Sequence, residues 1–316
     1  MRPVTSEEDR VAVIIPAYRS RSWLLEAIDS AVAQTSPPFE IVVVDDGSPE
    51  PLDALLGSRL AQVTYVRQPN RGPGAARNTG AACSDAALLA FLDDDDLFEP
   101  GKLAAQVAFL REHPRCALVC SDAWVFGDGR EMRRKNRSCH HRSEPDLTLA
   151  GLLDDNPITT NTVLMRRTVF EDLGGFDEDR DLIAVEDYDL WIRVAERYSM
   201  GYLDQPLGRY RLNEAGLSAP RRFLDGVQKV LDNAVRRGVP TELRRRFPQR
   251  RCGLLLDHAW SLLEAGKAGG ALTVVAQALA ACPSHPVAWK LLARGLADAI
   301  RLPMPRVTLT RSLTGS

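Results

Sequence analysis

Four consecutive carboxylates, Asp93, Asp94, Asp95 and Asp96, follow the apolar segment Ala87–Leu92. Like charges in a row repel one another, so a plain solvated turn gains nothing from them. At the end of a buried strand they form a hard-oxygen site suited to Mg²⁺ or Mn²⁺ that shares its coordination with a ligand's phosphates. An acidic surface turn is the bland alternative. A second cluster, Asp45-Asp46-Gly47-Ser48, ends the run EIVVVDDGS. A carboxylate there can accept a hydrogen bond from a nucleobase N–H while Gly47 permits the close turn, although DDGS is also simply a good turn sequence. In a third segment, AVEDYDLWIR (Ala184–Arg193), Glu186, Asp187 and Asp189 precede or open a helix. Acidic residues in a first turn complement the helix dipole; the functional alternative is a general base that takes a proton from an acceptor hydroxyl. Between the first two clusters lies NRGPGAARNTG (Asn70–Gly80). Gly72 and Gly74 imitate a dinucleotide fingerprint, but Arg77 stands where its third glycine belongs, and no GxxxxGK[ST] loop occurs.

The elements that must position these groups alternate. VAVIIP (Val11–Pro16) is a continuous apolar run, as in a strand buried on both faces. Ser22 can cap a helix carrying Leu25, Ile28 and Val32, which Thr35-Ser36-Pro37-Pro38 ends. A strand-then-turn segment at 40–48, a short helix near 52–60, a strand at 63–66, a helix through 75–82 and a strand at 87–92 follow. Such alternation predicts βαβ units, a parallel sheet, and ligands at the carboxyl ends of its strands. Both aspartate clusters fall at strand ends. The polar stretch 127–145, which holds Cys139-His140-His141, reads as a long binding loop. Its adjacent Cys and His residues point in different directions, so a metal site there is disfavoured.

Composition bounds the rest. With 316 residues, 45% of them hydrophobic, the chain can bury a core and fill two domains. Lys+Arg 40 against Asp+Glu 42 argues against a dedicated nucleic-acid binder. Six scattered cysteines form no disulfide framework. No apolar run is long enough to cross a membrane and no secretory signal is visible, so the expectation is a soluble, cytoplasmic protein. Basic residues gather in 221–251, and the chain beyond reads as helical to about 302. Within it, Gly266, Ala271, Ala278, Pro283 and Trp289 fall at the spacing of a tetratricopeptide-type hairpin, a generic helical pair being the alternative. Residues 1–10 and 303–316 read as disordered ends.

Taken in order, VAVIIPAYRS, SAVAQT, VVVDDGS, NRGPGAARNTG, LAFLDDDD, NTVLMRRTVFEDLGGFDE, VEDYDLWIR and PLGRYR resemble the family 2 inverting glycosyltransferases. The resemblance implies an α/β fold of GT-A type, a Rossmann-like mixed sheet flanked by helices, over residues 11–220. A small all-α extension, 221–302, would follow. It also implies metal-dependent transfer of a sugar from a nucleoside-diphosphate donor to a hydroxyl, in glycan, polysaccharide or glycoconjugate synthesis. By the resemblance, Pro16, Ala17 and Tyr18 line the nucleobase pocket, Asp45 and Asp46 serve the base, and Arg77 holds the nucleotide half. Asp93, Asp95 and Asp96 match the DxD-type motif. We assign Asp93 and Asp94 to the donor and Asp95 and Asp96 to Mn²⁺ or Mg²⁺; with four acidic residues in the run, that division stays open. Asp187 matches the catalytic base. UDP or dTDP donors are favoured, and a lipid-linked glycan is one candidate acceptor, taken up by the 127–160 loop and the helical extension. The basic stretch suits a solvated helix face or peripheral contact with anionic lipid at the inner face of the membrane. Oligomers are compatible with it. Two alternatives stand beside this reading: a nucleotide-sugar-binding scaffold without turnover, and a sugar nucleotidyltransferase, whose GGxGTR-type loop is absent.

Overall fold

The computed structural model describes residues 6–20, 22–127, 132–135, 146–212 and 220–300. Cys139-His140-His141, most of the 127–145 loop and the tail from 301 lie outside the described residues. So do residues 1–5, while Glu7–Asp9, within the N-terminal stretch expected to be disordered, form a 3-10 turn. The Asp9 carboxylate there pairs with Arg111.

The chain divides into two compact units, Met1–Leu152 with Pro157–Leu217, and Leu153–Asn156 with Ser218–Ser316. The first is built on a nine-stranded sheet. Its elements begin β1 (Val11–Ala17), α1 (Ser22–Val32), β2 (Glu40–Asp45), α2 (Asp53–Leu56), β3 (Thr64–Arg67), α3 (Pro73–Ala82) and β4 (Leu88–Phe91). They continue through β5 (Leu97–Phe98), α4 (Lys102–Glu112), β6 (Cys116–Phe126), β7 (Arg133–Arg134), α5 (Leu149–Asp154) and β8 (Leu164–Arg166). α6 (Arg167–Asp172), α7 (Glu186–Arg197) and β9 (Ser199–Arg211) complete the series. The strand order is β3-β2-β1-β4-β8-β6-β9-β5, with β7 on β6.

β1, β2, β3 and β4 pair in parallel, as the strand–helix alternation requires. β8 is antiparallel to both β4 and β6, which makes the sheet mixed. Every residue of β1 is buried, in keeping with its unbroken apolar run. From β1 the chain steps one way to β2 and β3 and later returns to the other side with β4. This places a topological switch at the carboxyl end of β1, where open α/β sheets hold ligands.

The absent third glycine of the Asn70–Gly80 segment is made good one turn later. A Cβ on Gly80 would lie 2.5 Å from Ile14 Cγ2, so this residue lets α3 pack closely on β1.

The second unit contains α8 (Pro220–Arg237), α9 (Thr241–Arg244), α10 (Phe247–Glu264), α11 (Ala268–Ala281) and α12 (Pro286–Ala299). Its core joins Cys252, Leu256, Ala259, Ala271, Val275, Ala278, Ala288 and Leu291. Small residues bring these helices together: a Cβ on Gly295 would meet Leu272 at 2.9 Å. Gly266, at φ +70°, ends α10 in the left-handed region that favours glycine. Trp289 remains 55% exposed, with its indole N–H donated to Pro283 O.

Candidate active site

Strand ends supply the walls. Ala17↔Asp45 is the last pair of the β1–β2 register, and Ala17 O accepts from Asp46 N. Pro16 and Ala17 are buried beneath, whereas Tyr18 turns outward at 43% exposure. Asp45 is fully buried and closes its own turn: Ser48 N donates to Oδ1 at 2.8 Å and Tyr65 Oη to Oδ2 at 2.9 Å. Asp46 clamps the following loop. Gln68 Nε2 and Arg71 N donate to its Oδ1 and Gly72 N to its Oδ2, at 2.7, 2.9 and 2.8 Å. A carboxylate has about four acceptor positions, so one remains for a ligand. Gly47 makes this possible: its φ is +73°, and a Cβ would lie 2.6 Å from Asn70 N.

Arg77 is 4% exposed and joins two of the acidic clusters. Its Nη1 donates to Glu186 Oε1 at 2.6 Å and its Nη2 to Asp93 Oδ1 at 2.5 Å. Burial alone would lower its pKa; Asp93 and Glu186 outweigh that and raise it. Its guanidinium also lies 5.3 Å from the centre of the Phe176 ring. Next to it, Asn78 exchanges two hydrogen bonds with the Phe176 backbone, tying α3 to the Gly174-Gly175-Phe176 turn.

The four-aspartate turn is fastened from β9. Arg211 N donates to Asp96 Oδ1 at 2.8 Å and Arg211 Nε to Asp95 O at 2.7 Å. Asp94 accepts from Ser20 Oγ. Burial, partly offset by that bond and reinforced by Asp95 and Asp93, pushes its pKa up to about 7. Asp96 is 1% exposed, and burial with the charges of Asp93 and Asp95 holds its pKa well above the carboxylate range. Its Oδ2 has no hydrogen-bond partner among the described residues. An orphaned buried carboxylate oxygen costs free energy, which a cation would relieve.

No three acidic, His or Cys side chains converge as a ready metal cage among the described residues. The buried, unpartnered Asp96 Oδ2 is the donor that would fit a divalent ion completing its shell with ligand phosphates.

Asp187 stands at the start of α7, half-buried. Thr160 Oγ1 donates to its Oδ2 and Tyr188 N to its Oδ1, both at 2.7 Å. Burial first, then Glu186, pushes its pKa up to about 6, against the lowering effect of Thr160, Arg77 and Tyr188 N. Tyr210 faces both acidic groups: burial and the charges of Asp96, Asp95, Asp93 and Asp187 raise its phenol pKa. The Lys135 ammonium lies 5.3 Å from the Tyr210 ring centre and donates to Thr159 Oγ1 at 2.6 Å.

Strand ends, Arg77 and the start of α7 thus bring together Asp93, Asp95, Asp96 and Asp187. Asp45 and Asp46 lie at the end of β2, with β1 between it and β4, and are engaged mainly with the protein itself. Thr160, Tyr210, Arg211 and Lys135 were not among the expected site residues, whereas Glu186 stood beside Asp187 as a candidate in AVEDYDLWIR. Only Arg211 and Tyr210 carried a signal, within the PLGRYR segment.

Residues 12–174, just over half of the chain, match the family described as Glycosyl transferase family 2. The chain belongs to that family.

Its relatives include an uncharacterized glycosyltransferase of Rickettsia felis, 31% identical over 208 residues, covering 65% of this chain and 33% of that protein. This family 2 chain thus spans about a third of that relative's length. The succinoglycan biosynthesis protein ExoW of Rhizobium meliloti is 44% identical over 153 residues, 44% of this chain and 47% of that one. Among solved structures, Staphylococcus aureus TarS 1–349 superposes with a TM-score of 0.62 at 19% identity, covering 92% of this chain and 88% of the other. The mannosyltransferase PcManGT of Pyrobaculum calidifontis, in complex with GDP-Man and Mn²⁺, gives 0.60 at 20% identity, covering 92% and 86%. Both share the GT-A fold with this family 2 chain.

Proposed function

We propose that this chain transfers a glycosyl group from a nucleoside-diphosphate sugar to a hydroxyl acceptor with inversion. The observation that carries the reading is Asp187. It is a partly buried carboxylate with a pKa near 6, adjacent in sequence to Glu186, which shares Arg77 with Asp93 of the Asp93–Asp96 turn. A base poised near neutrality can hold an acceptor O–H and take its proton as the oxygen attacks the anomeric carbon. The bond from that carbon to the diphosphate breaks on the opposite face, and its electron pair leaves with the nucleoside diphosphate. No covalent enzyme intermediate is needed.

Asp95 and Asp96 would hold a divalent cation, Mn²⁺ or Mg²⁺, with Asp93 and Asp94 beside the donor. When bound, that ion supplies electrostatic stabilisation of the leaving diphosphate. Tyr18, Ala17 and Pro16 would meet the base with Asp46, for which UDP or dTDP donors are favoured. TarS 1–349 is known in complex with UDP and with UDP-GlcNAc, and PcManGT with GDP-Man, which supports a nucleotide-sugar donor. Relatives in succinoglycan biosynthesis support a glycan acceptor. No helix among the described residues is long and apolar enough to cross a membrane.

Asp187→Asn keeps the shape and removes the base. It should lower turnover at least about 100-fold while donor affinity, read by calorimetry, stays within about twofold. Wild-type turnover in that variant would sink the reading.

A further inference from the structure

We propose that the Thr160 hydroxyl is a positioning group that fixes the rotation of Asp187 and holds it in its charged, proton-accepting form. The inference rests on the reading of Asp187 as the base.

Thr160 is buried on the 3-10 turn Thr160–Thr162, and the protein holds that turn from several sides. Thr162 Oγ1 donates to Thr159 O at 2.7 Å within it. Asn161 Nδ2 donates to Arg209 O on β9 at 3.0 Å. From α4, Gln106 Nε2 reaches Thr162 O at 2.6 Å, and the buried Lys102 Nζ reaches Val163 O at 3.1 Å. A turn anchored on both β9 and α4 leaves Thr160 Oγ1 aimed at Asp187 Oδ2 rather than free to choose partners. With Tyr188 N on Oδ1, each carboxylate oxygen has one donor among the described residues. Torsion about χ2 is then fixed, and the remaining lone pairs stay available for the acceptor hydroxyl.

The charged groups facing Asp187 do not duplicate this role. Glu186 beside it opposes the charged form. Arg77 favours it from α3 but is already shared between Glu186 and Asp93. Tyr210 faces it from β9, while Lys135 donates to the neighbouring Thr159. Thr160 is the side-chain hydroxyl bonded to the carboxylate itself.

Thr160→Val keeps the β-branched shape and removes the donor, with Thr160→Ala as a second variant and Thr160→Ser as the rescue. In protein carrying ¹³Cγ-aspartate, the Asp187 resonance is assigned by its loss in Asp187→Asn. Its titration midpoint should rise by about one pH unit in the Val and Ala variants and return in Ser. The acidic limb of kcat/KM should move with it, so that kcat/KM at pH 6 drops about fivefold, and UDP affinity should not change. An unchanged midpoint in the Val or Ala variant, with Asp187→Asn inactive, overturns this inference and leaves the proposed function standing. A fully active Asp187→Asn overturns the proposed function, and this inference with it.

Discussion

At the scale of single residues, Arg77 decides most. In the sequence it stands where a fingerprint glycine is missing, and only the family resemblance marks it for the nucleotide half. In the fold it bridges Asp93 and Glu186, which lie 16 and 109 positions away. Neither spacing belongs to a helix or strand period, so no local pattern could disclose the pair. The aspartate clusters were legible because like charges gathered at strand ends have few bland explanations. Thr160 and Lys135 were not, since a hydroxyl or an amine in a loop resembles any other. Arg77→Ala would leave two carboxylates facing each other without their cation, one of them buried. Breaking a buried pair typically costs about 3–5 kcal/mol. Urea denaturation of Arg77→Ala should show a loss of that order, and Arg77→Lys should restore only part, because a single ammonium lacks the two-pronged geometry. A variant as stable as the parent would contradict the role assigned to Arg77.

At the scale of elements, the parallel half of the sheet followed from unbroken apolar runs ending in turns. The antiparallel β8 did not. Three residues, Leu164–Arg166, run straight into α6, too short a span to display period-two alternation. α4 was equally opaque, because it places Lys102 in the interior, where its ammonium lies 4.3 Å from the centre of the Phe98 ring. Burial lowers the Lys102 pKa from 10.5 to about 7. Between those values the unfolded chain binds a proton that the folded chain does not, so this group makes stability rise with pH. The penalty is fully present below about pH 7 and vanishes above the unfolded pKa. Lys102→Met removes that linkage. Denaturation midpoints measured from pH 7 to pH 10 should climb less steeply in the variant than in the parent; parallel slopes would show that Lys102 does not titrate in this window.

For the whole molecule, a net charge of -2 conceals a division of labour along the chain. Acidic groups collect where the first unit's strands end, and basic ones run through α8, α9 and the start of α10. The collected acidity argues that a cation and a diphosphate bind as a set, since either alone leaves charge uncompensated. UDP with Mn²⁺ should therefore raise the melting temperature more than the sum of the shifts each gives alone. At a ligand concentration of about 100 Kd, linkage adds about 2.7 kcal/mol. EDTA should return the melting temperature to that with UDP alone. Strictly additive shifts would argue against a shared site. The helical character of the second unit was legible in the sequence, and small-residue spacing marked the hairpin at 255–289; Trp289 nonetheless stays half out of the core, because that spacing fixes helix approach and leaves the outer face open.

The clamp of Asp46 on Arg71 and Gly72 bears on how any ligand meets this wall. Loops that close around a guest lose their freedom during capture and weaken it accordingly. Here the freedom of the 68–72 segment is already lost when the chain folds, through three bonds to one carboxylate. A ligand that binds at the end of β2 would meet a surface shaped in advance, so that encounter rather than rearrangement should set the pace of its arrival.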